Sequence, residues 1–279
     1  MKRLISIEFQ KLWKNRASKI LILSYFIILS FIALISSIKL DIFGMEFRVA
    51  DQGIFNFPYI WHFNTYLAVY LKAFLALVIV SMMANEYTYG TLKQNLIDGL
   101  SKKEIIQSKL LVVLLFALSS TVFIFIMTLL LGYSFSSYTE TSIVFTDVAY
   151  IGAFFVDLLA FFSFCLFAGI LVKRSAFAIG FVIMWYIAEW ITYGILSNKV
   201  FHNEELTYKV TSYFPLISVS NLLMEPFTRF KAYKTIENQL NANVIPKDYS
   251  IHWDNVVIVL IWTAIFMFLS YRILKKRDL

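Results

Sequence analysis

Apolar runs about twenty residues long recur along this chain, each bounded by a short charged segment. A helix needs about 20 apolar residues to cross the hydrocarbon core of a bilayer, where every backbone polar group must be satisfied internally. Runs of that length fall near 20–38, 66–84, 110–132, 149–172, 176–196 and 254–271. The residues are 59% hydrophobic and only 15% charged, more apolar surface than a water-soluble chain of 279 residues hides in one core. The reading is an all-α polytopic membrane protein, one transmembrane domain over 1–279 with six spans. The first run is longer than the apolar region of a signal peptide and reads as an uncleaved span.

Lys and Arg give the orientation, because cytoplasmic flanks carry the excess. They cluster at the N-terminus (Lys2, Arg3, Lys11, Lys14, Arg16, Lys19), after span two (Lys93, Lys102, Lys103, Lys109), in the turn Lys173-Arg174, and at the C-terminus (Arg272, Lys275, Lys276, Arg277). The opposite segments are poorer: 39–65 sets Lys39 and Arg48 against three acids, and 133–148 holds Glu140 and Asp147 with no base. Six spans put both termini in the cytoplasm. The net charge of +7 thus reflects membrane topology and not a nucleic-acid partner. The single cysteine, Cys165, lies within a span and excludes both an internal disulfide and a cysteine-based metal site.

Three segments outside the spans carry pattern. In residues 1–16, Leu4, Ile5, Phe9, Leu12 and Trp13 share one helical face with bases on the other, which predicts an interfacial helix whose lysines meet anionic lipid. The long outer loop 197–253 contains an apolar stretch, 213–227, bounded by Pro215 and Pro226. It is too short to span and too apolar for a solvated loop, and reads as a re-entrant or interfacial helix. Between spans two and three, Thr91 predicts an N-cap, and Leu92, Leu96 and Ile97 one exposed apolar face of a short helix. Gly99 predicts a left-handed stop, and Ser101 with Glu104 a capping box for the next helix. A soluble partner can dock on such a surface.

The pattern Glu86-x-x-x-Gly90-Thr91-Leu92, followed by Gly99-Leu100-Ser101-Lys102-Lys103-Glu104 and Lys109, resembles the E-x-x-x-G-T-L … S-[RK]-x-E … K signature of the ABC-2 family of ATP-binding-cassette permeases. The layout is similar to that family's over nearly the whole chain. Gly99-Leu100 departs from it, since many members carry a proline before the Ser-Lys pair. The resemblance implies a permease subunit of a bacterial inner-membrane exporter, with 85–104 as the segment that touches a separate ATPase subunit. The coupling residues would be Glu86, Gly90, Thr91, Leu92, Lys93, Leu96, Ile97, Ser101, Lys102 and Glu104, with Glu86 and Lys93 making charged contacts. It further implies a second permease subunit, with ATP and Mg held by the partner. The chain contains no G-x-x-x-x-G-K-[ST] phosphate loop and so has no ATPase site of that kind itself.

Lys72, Asp157 and Glu189 fall within spans, at similar depths in the outer half. An ionisable group there faces a partner or a water-filled cavity. The three either pair across spans two, four and five or line a substrate path. Two rival classes remain. An intramembrane protease or transferase is disfavoured because His62, His202 and His252 fall in outer loops or at their edges, leaving no membrane histidine as base or zinc ligand. A non-transporting scaffold or regulatory permease-like subunit would keep the same docking residues.

Overall fold

The computed structural model describes residues 2–38, 40–42, 45–47, 53–229 and 248–277. Lys39, Arg48 and Asp51, counted above for charge, lie outside the described residues. Six helices are long and apolar enough to cross a membrane. In chain order the helices are α1 (Lys2–Lys14), α2 (Arg16–Ser37), α3 (Tyr59–Thr88), α4 (Thr91–Ile97), α5 (Lys102–Phe135), α6 (Thr141–Val144), α7 (Ala149–Val172), α8 (Ser175–Ile195), α9 (Glu204–Thr211), α10 (Pro215–Ser220) and α11 (Trp253–Lys276). A small hairpin pairs Leu40–Ile42 with Met45–Phe47.

Helices α2, α3, α5, α7, α8 and α11 are the six spans. Several outrun the apolar stretches that announce them: α3 begins at Tyr59 and ends at Thr88, and α5 begins at Lys102. Polar residues at either end keep helical hydrogen bonding after the need for hydrophobicity has passed. With six crossings, α1, α4 and the end of α11 share one end of the bundle, and α6, α9 and α10 occupy the other.

Helix α7 is the hub, packing on α3, α5, α8 and α11. Apart from Asp157 and Ser163 its buried residues are almost all apolar, as suits a helix inside a bundle, and they include Phe154, Leu158, Phe162, Phe164, Cys165 and Leu166. Helices α3 and α7 pack closely at Gly169, where a methyl group would stand 3.1 Å from the Val80 carbonyl oxygen. Small residues at such crossings let two backbones meet without lipid between them. Helix α8 is the least buried span, with Ile183, Met184, Ile187 and Ile191 exposed.

Gly132 on α5 serves the other end of the bundle. A Cβ there would lie 2.2 Å from the Phe57 ring, and Phe57 is itself buried against Trp61 and Tyr133. Gly132→Ala is therefore expected to cost roughly 1–3 kcal/mol through overpacking, measured as a lower melting temperature in detergent. An unchanged melting temperature would mean that the ring can swing aside freely.

The segment 213–227 contains a shorter helix than its apolar length suggests. Pro215 opens α10, which is only six residues long, and the chain then runs irregularly to a 3₁₀ turn at Phe227–Arg229. Leu216, Ile217, Ser218 and Val219 are buried.

Candidate functional site

The connection between α3 and α5 is built from local capping chemistry. Gly90 takes a left-handed conformation (φ +66°) and turns the chain into α4. Thr91 is thus the first helical residue, and the N-cap expected at Thr91 falls instead on Gly90, because the reversal needs a positive φ that a β-branched residue resists. At the far end Gly99 is left-handed (φ +91°). The Gly99 amide donates to the Leu96 carbonyl at 3.1 Å and the Leu100 amide to the Asn95 carbonyl at 3.0 Å. This pair of bonds is a Schellman stop, formed without the proline common before the Ser-Lys pair. Ser101 then accepts from the Glu104 amide at 3.2 Å while the Glu104 carboxylate accepts from the Ser101 amide at 2.8 Å, closing the capping box that starts α5.

The apolar residues of α4 do not share one exposed face. Leu92 is only 2% exposed and Leu96 packs against the bundle core, whereas Ile97 is 70% exposed. At about 100° per residue, Leu96 returns close to Leu92 and Ile97 falls about 140° away. The outward surface consists of Tyr89, which is 74% exposed, with Lys93, Gln94 and Ile97.

Glu86 is not a surface charge either. Its carboxylate meets the Lys109 ammonium at 2.5 Å and that of Lys11 at 2.9 Å. Lys109, fully buried, also meets Glu8 at 2.6 Å, and Glu8 accepts from the Ser108 hydroxyl at 3.3 Å. The side chains of Glu8 and Glu86 are buried and that of Lys11 is 35% exposed. Two carboxylates and two ammonium groups from α1, α3 and α5 thus form a neutral, largely desolvated network. Burial disfavours the charged form of Lys11, but the attraction of Glu86 and Glu8 outweighs it and raises its pKa above the usual lysine value. Lys11 therefore turns inward, away from the lipid headgroups expected to receive it.

Lys102 is engaged as well, donating to the Lys275 carbonyl at 3.2 Å and the Arg277 carbonyl at 2.5 Å. Lys93 is exposed.

Of the three charges within spans, two meet. The Lys72 ammonium lies 2.6 Å from the Asp157 carboxylate and 4.5 Å from the centre of the Phe161 ring. Glu189 joins neither, which corrects the expectation of one group linking spans two, four and five. Its carboxylate accepts from the Leu216 amide at 3.0 Å, the Ile217 amide at 2.9 Å and the Trp185 indole at 2.7 Å. Leu216 and Ile217 open α10 behind Pro215, where amides have no helical acceptor, so Glu189 supplies the negative charge that a helix start attracts.

At the end of the bundle opposite α4 lies a cluster that the sequence did not single out. His62 is buried, stacks on Tyr150 at 4.3 Å, approaches the Met224 carbonyl at 2.7 Å and contacts Arg229 at 3.0 Å. The Arg229 guanidinium lies over the rings of Tyr59 and Tyr249 and 3.8 Å from Asp147. A cavity of about 450 Å³ opens beside Asp147, Tyr150, Arg229 and Tyr249. Aromatic residues at this edge were the available signal, although composition alone does not reveal which of them stack. Among the described residues no group of three or more His, Cys, Asp or Glu side chains converges as a metal site requires.

These features define a multi-pass helical membrane protein with buried charge at two levels. Residues 44–279 match the family described as proteins of unknown function DUF2705, and the chain belongs to that family. No curated protein matches it.

Proposed function

We propose that the chain is the membrane subunit of an ABC-2 type exporter, coupled through α4 to a separate ATPase subunit that holds ATP and Mg. The observation that carries the reading is the meeting of Glu86 with Lys109, the two charged ends of the resembling signature, around a short helix entered through the left-handed Gly90 and closed by the Schellman stop at Gly99. An element that receives mechanical work must be stiffer than a loop and must be tied to the spans it moves. Helix α4 has both properties, and Tyr89, Lys93 and Ile97 face away from the bundle.

In this reading α1, α4 and the end of α11 face the cytoplasm of a bacterium and the protein sits in its inner membrane. Helix α1 lies in the lipid interface. The exposed Phe9 and Trp13 rings stack at 5.8 Å and Lys19 reaches over Trp13 at 4.8 Å, an aromatic and basic edge suited to headgroup depth. Helix α10, held by Glu189, is a re-entrant element of the outer face, and a second permease subunit completes the pathway.

The test is co-purification with an ATPase that carries a phosphate loop, sought first among the products of neighbouring reading frames. Tyr89→Asp combined with Ile97→Asp should cut recovery of the ATPase at least tenfold, since a tyrosine hot spot alone carries roughly 2 kcal/mol or more at an interface, while the membrane subunit keeps its melting temperature. Leu92 is unsuitable for this purpose because its burial makes Leu92→Asp a folding defect. Undiminished recovery of the double variant would move docking elsewhere.

A further inference from the structure

We propose that Arg277 and Lys102 form a clasp that makes the end of α11 part of the α4 apparatus, with Arg277 as its positioning residue. The link to ATP-driven coupling rests on the function proposed above, whereas the clasp itself rests on geometry alone. The Arg277 guanidinium donates to the Tyr87 hydroxyl at 3.0 Å, to the Leu171 carbonyl at 2.9 Å and to the Ile170 carbonyl, and it lies 5.6 Å from the centre of the Tyr87 ring. Ile170 and Leu171 belong to the last turn of α7, where carbonyl groups lack helical donors and the helix dipole is negative. The planar fork of donors on a guanidinium can serve several such acceptors at once.

The backbone of the same residue is held from the other side. Lys102 is the first residue of α5, and its ammonium caps the end of α11 through the Lys275 and Arg277 carbonyls. Tyr87 stands three residues before Gly90, and Lys102 directly follows Ser101. The two flanks of α4 therefore meet at one residue, which also touches α7. Lys173 also lies over the Tyr87 ring, at 5.7 Å. On the opposite side Glu86 and Lys109 bind the same two flanks to α1. A displacement of α4 must then carry α7 and α11 with it, because neither flank can move without breaking charge-assisted bonds.

Hydrogen exchange of the full chain in lipid nanodiscs tests the clasp. Arg277→Ala should speed exchange across residues 88–101 about tenfold, since hydrogen bonds to a charged group resist local opening, and Tyr87→Phe should speed it about threefold. Tyr87→Phe also keeps the test usable if Arg277→Ala does not fold. Exchange unchanged in both variants would overturn the clasp. With the ATPase present, Arg277→Ala should still bind it but lose most of the permease-dependent change in hydrolysis rate. Faster exchange with an unaltered hydrolysis response would overturn the coupling role and leave a local tether. A wild-type chain that recruits no ATPase would defeat the function proposed above, and exchange would still decide the clasp.

Discussion

Lys109→Ala should be among the most damaging single substitutions in this protein, lowering its stability by roughly 3–5 kcal/mol, the range found when one partner of a buried ion pair is removed. The reason is what stays behind. Glu8 and Glu86 would face each other with only the partly exposed Lys11 as counterion, and the site is too buried for water to replace the missing ammonium. Unfolding by denaturing detergent in mixed micelles measures the loss. Lys93→Ala provides the control, since Lys93 is exposed on α4 and a surface change should stay within about 0.5 kcal/mol. The quadruple variant Glu8→Gln, Lys11→Met, Glu86→Gln, Lys109→Met should regain most of the stability, because a neutral set avoids the cost of desolvating four charges. A Lys109→Ala loss below about 1 kcal/mol would place the network in solvent, as surface ion pairs are worth no more than that.

This network also marks where reading the sequence stops. The six spans are legible because bilayer crossing imposes a length and a hydrophobicity on each, and the capping box at Ser101 and the stop at Gly99 are legible because both depend on residues within one turn. Glu86 reads as a surface charge for the opposite reason: its partners lie 23 residues away at Lys109 and 75 away at Lys11, and nothing local announces them. A signal was nevertheless present. Glu8 lies between Leu4, Ile5 and Leu12 on the apolar face of α1, and Lys109 sits among Ile105, Ile106 and Leu110, so each charge occupies a stripe reserved for burial. Charges in such positions need each other. Glu189 gave less warning, because its partners are the backbone amides of Leu216 and Ile217, and no side-chain pattern encodes an amide.

The Lys72–Asp157 pair supplies the second large effect and separates a structural from a functional role. Asp157→Leu strands an ammonium within a span and should cost roughly 3 kcal/mol, the lower end of the range for a broken buried pair. Lys72→Met strands the carboxylate on α7, the hub of the bundle, where Asp157 has less access to solvent than Lys72. The double variant Lys72→Met, Asp157→Leu removes both charges and should recover to within about 1 kcal/mol of the wild type, giving a large coupling in a double-mutant cycle. Additive losses would show that the two groups do not depend on each other despite their 2.6 Å separation. Stability and function separate here, since an ion pair in a membrane interior is costly wherever hydrophobic contact would serve. Under the function proposed above, flux through the complex reconstituted with its ATPase tells the two apart. If the stable double variant transports normally, the pair only holds α3 against α7; if it is stable and inactive, the charges belong to the pathway.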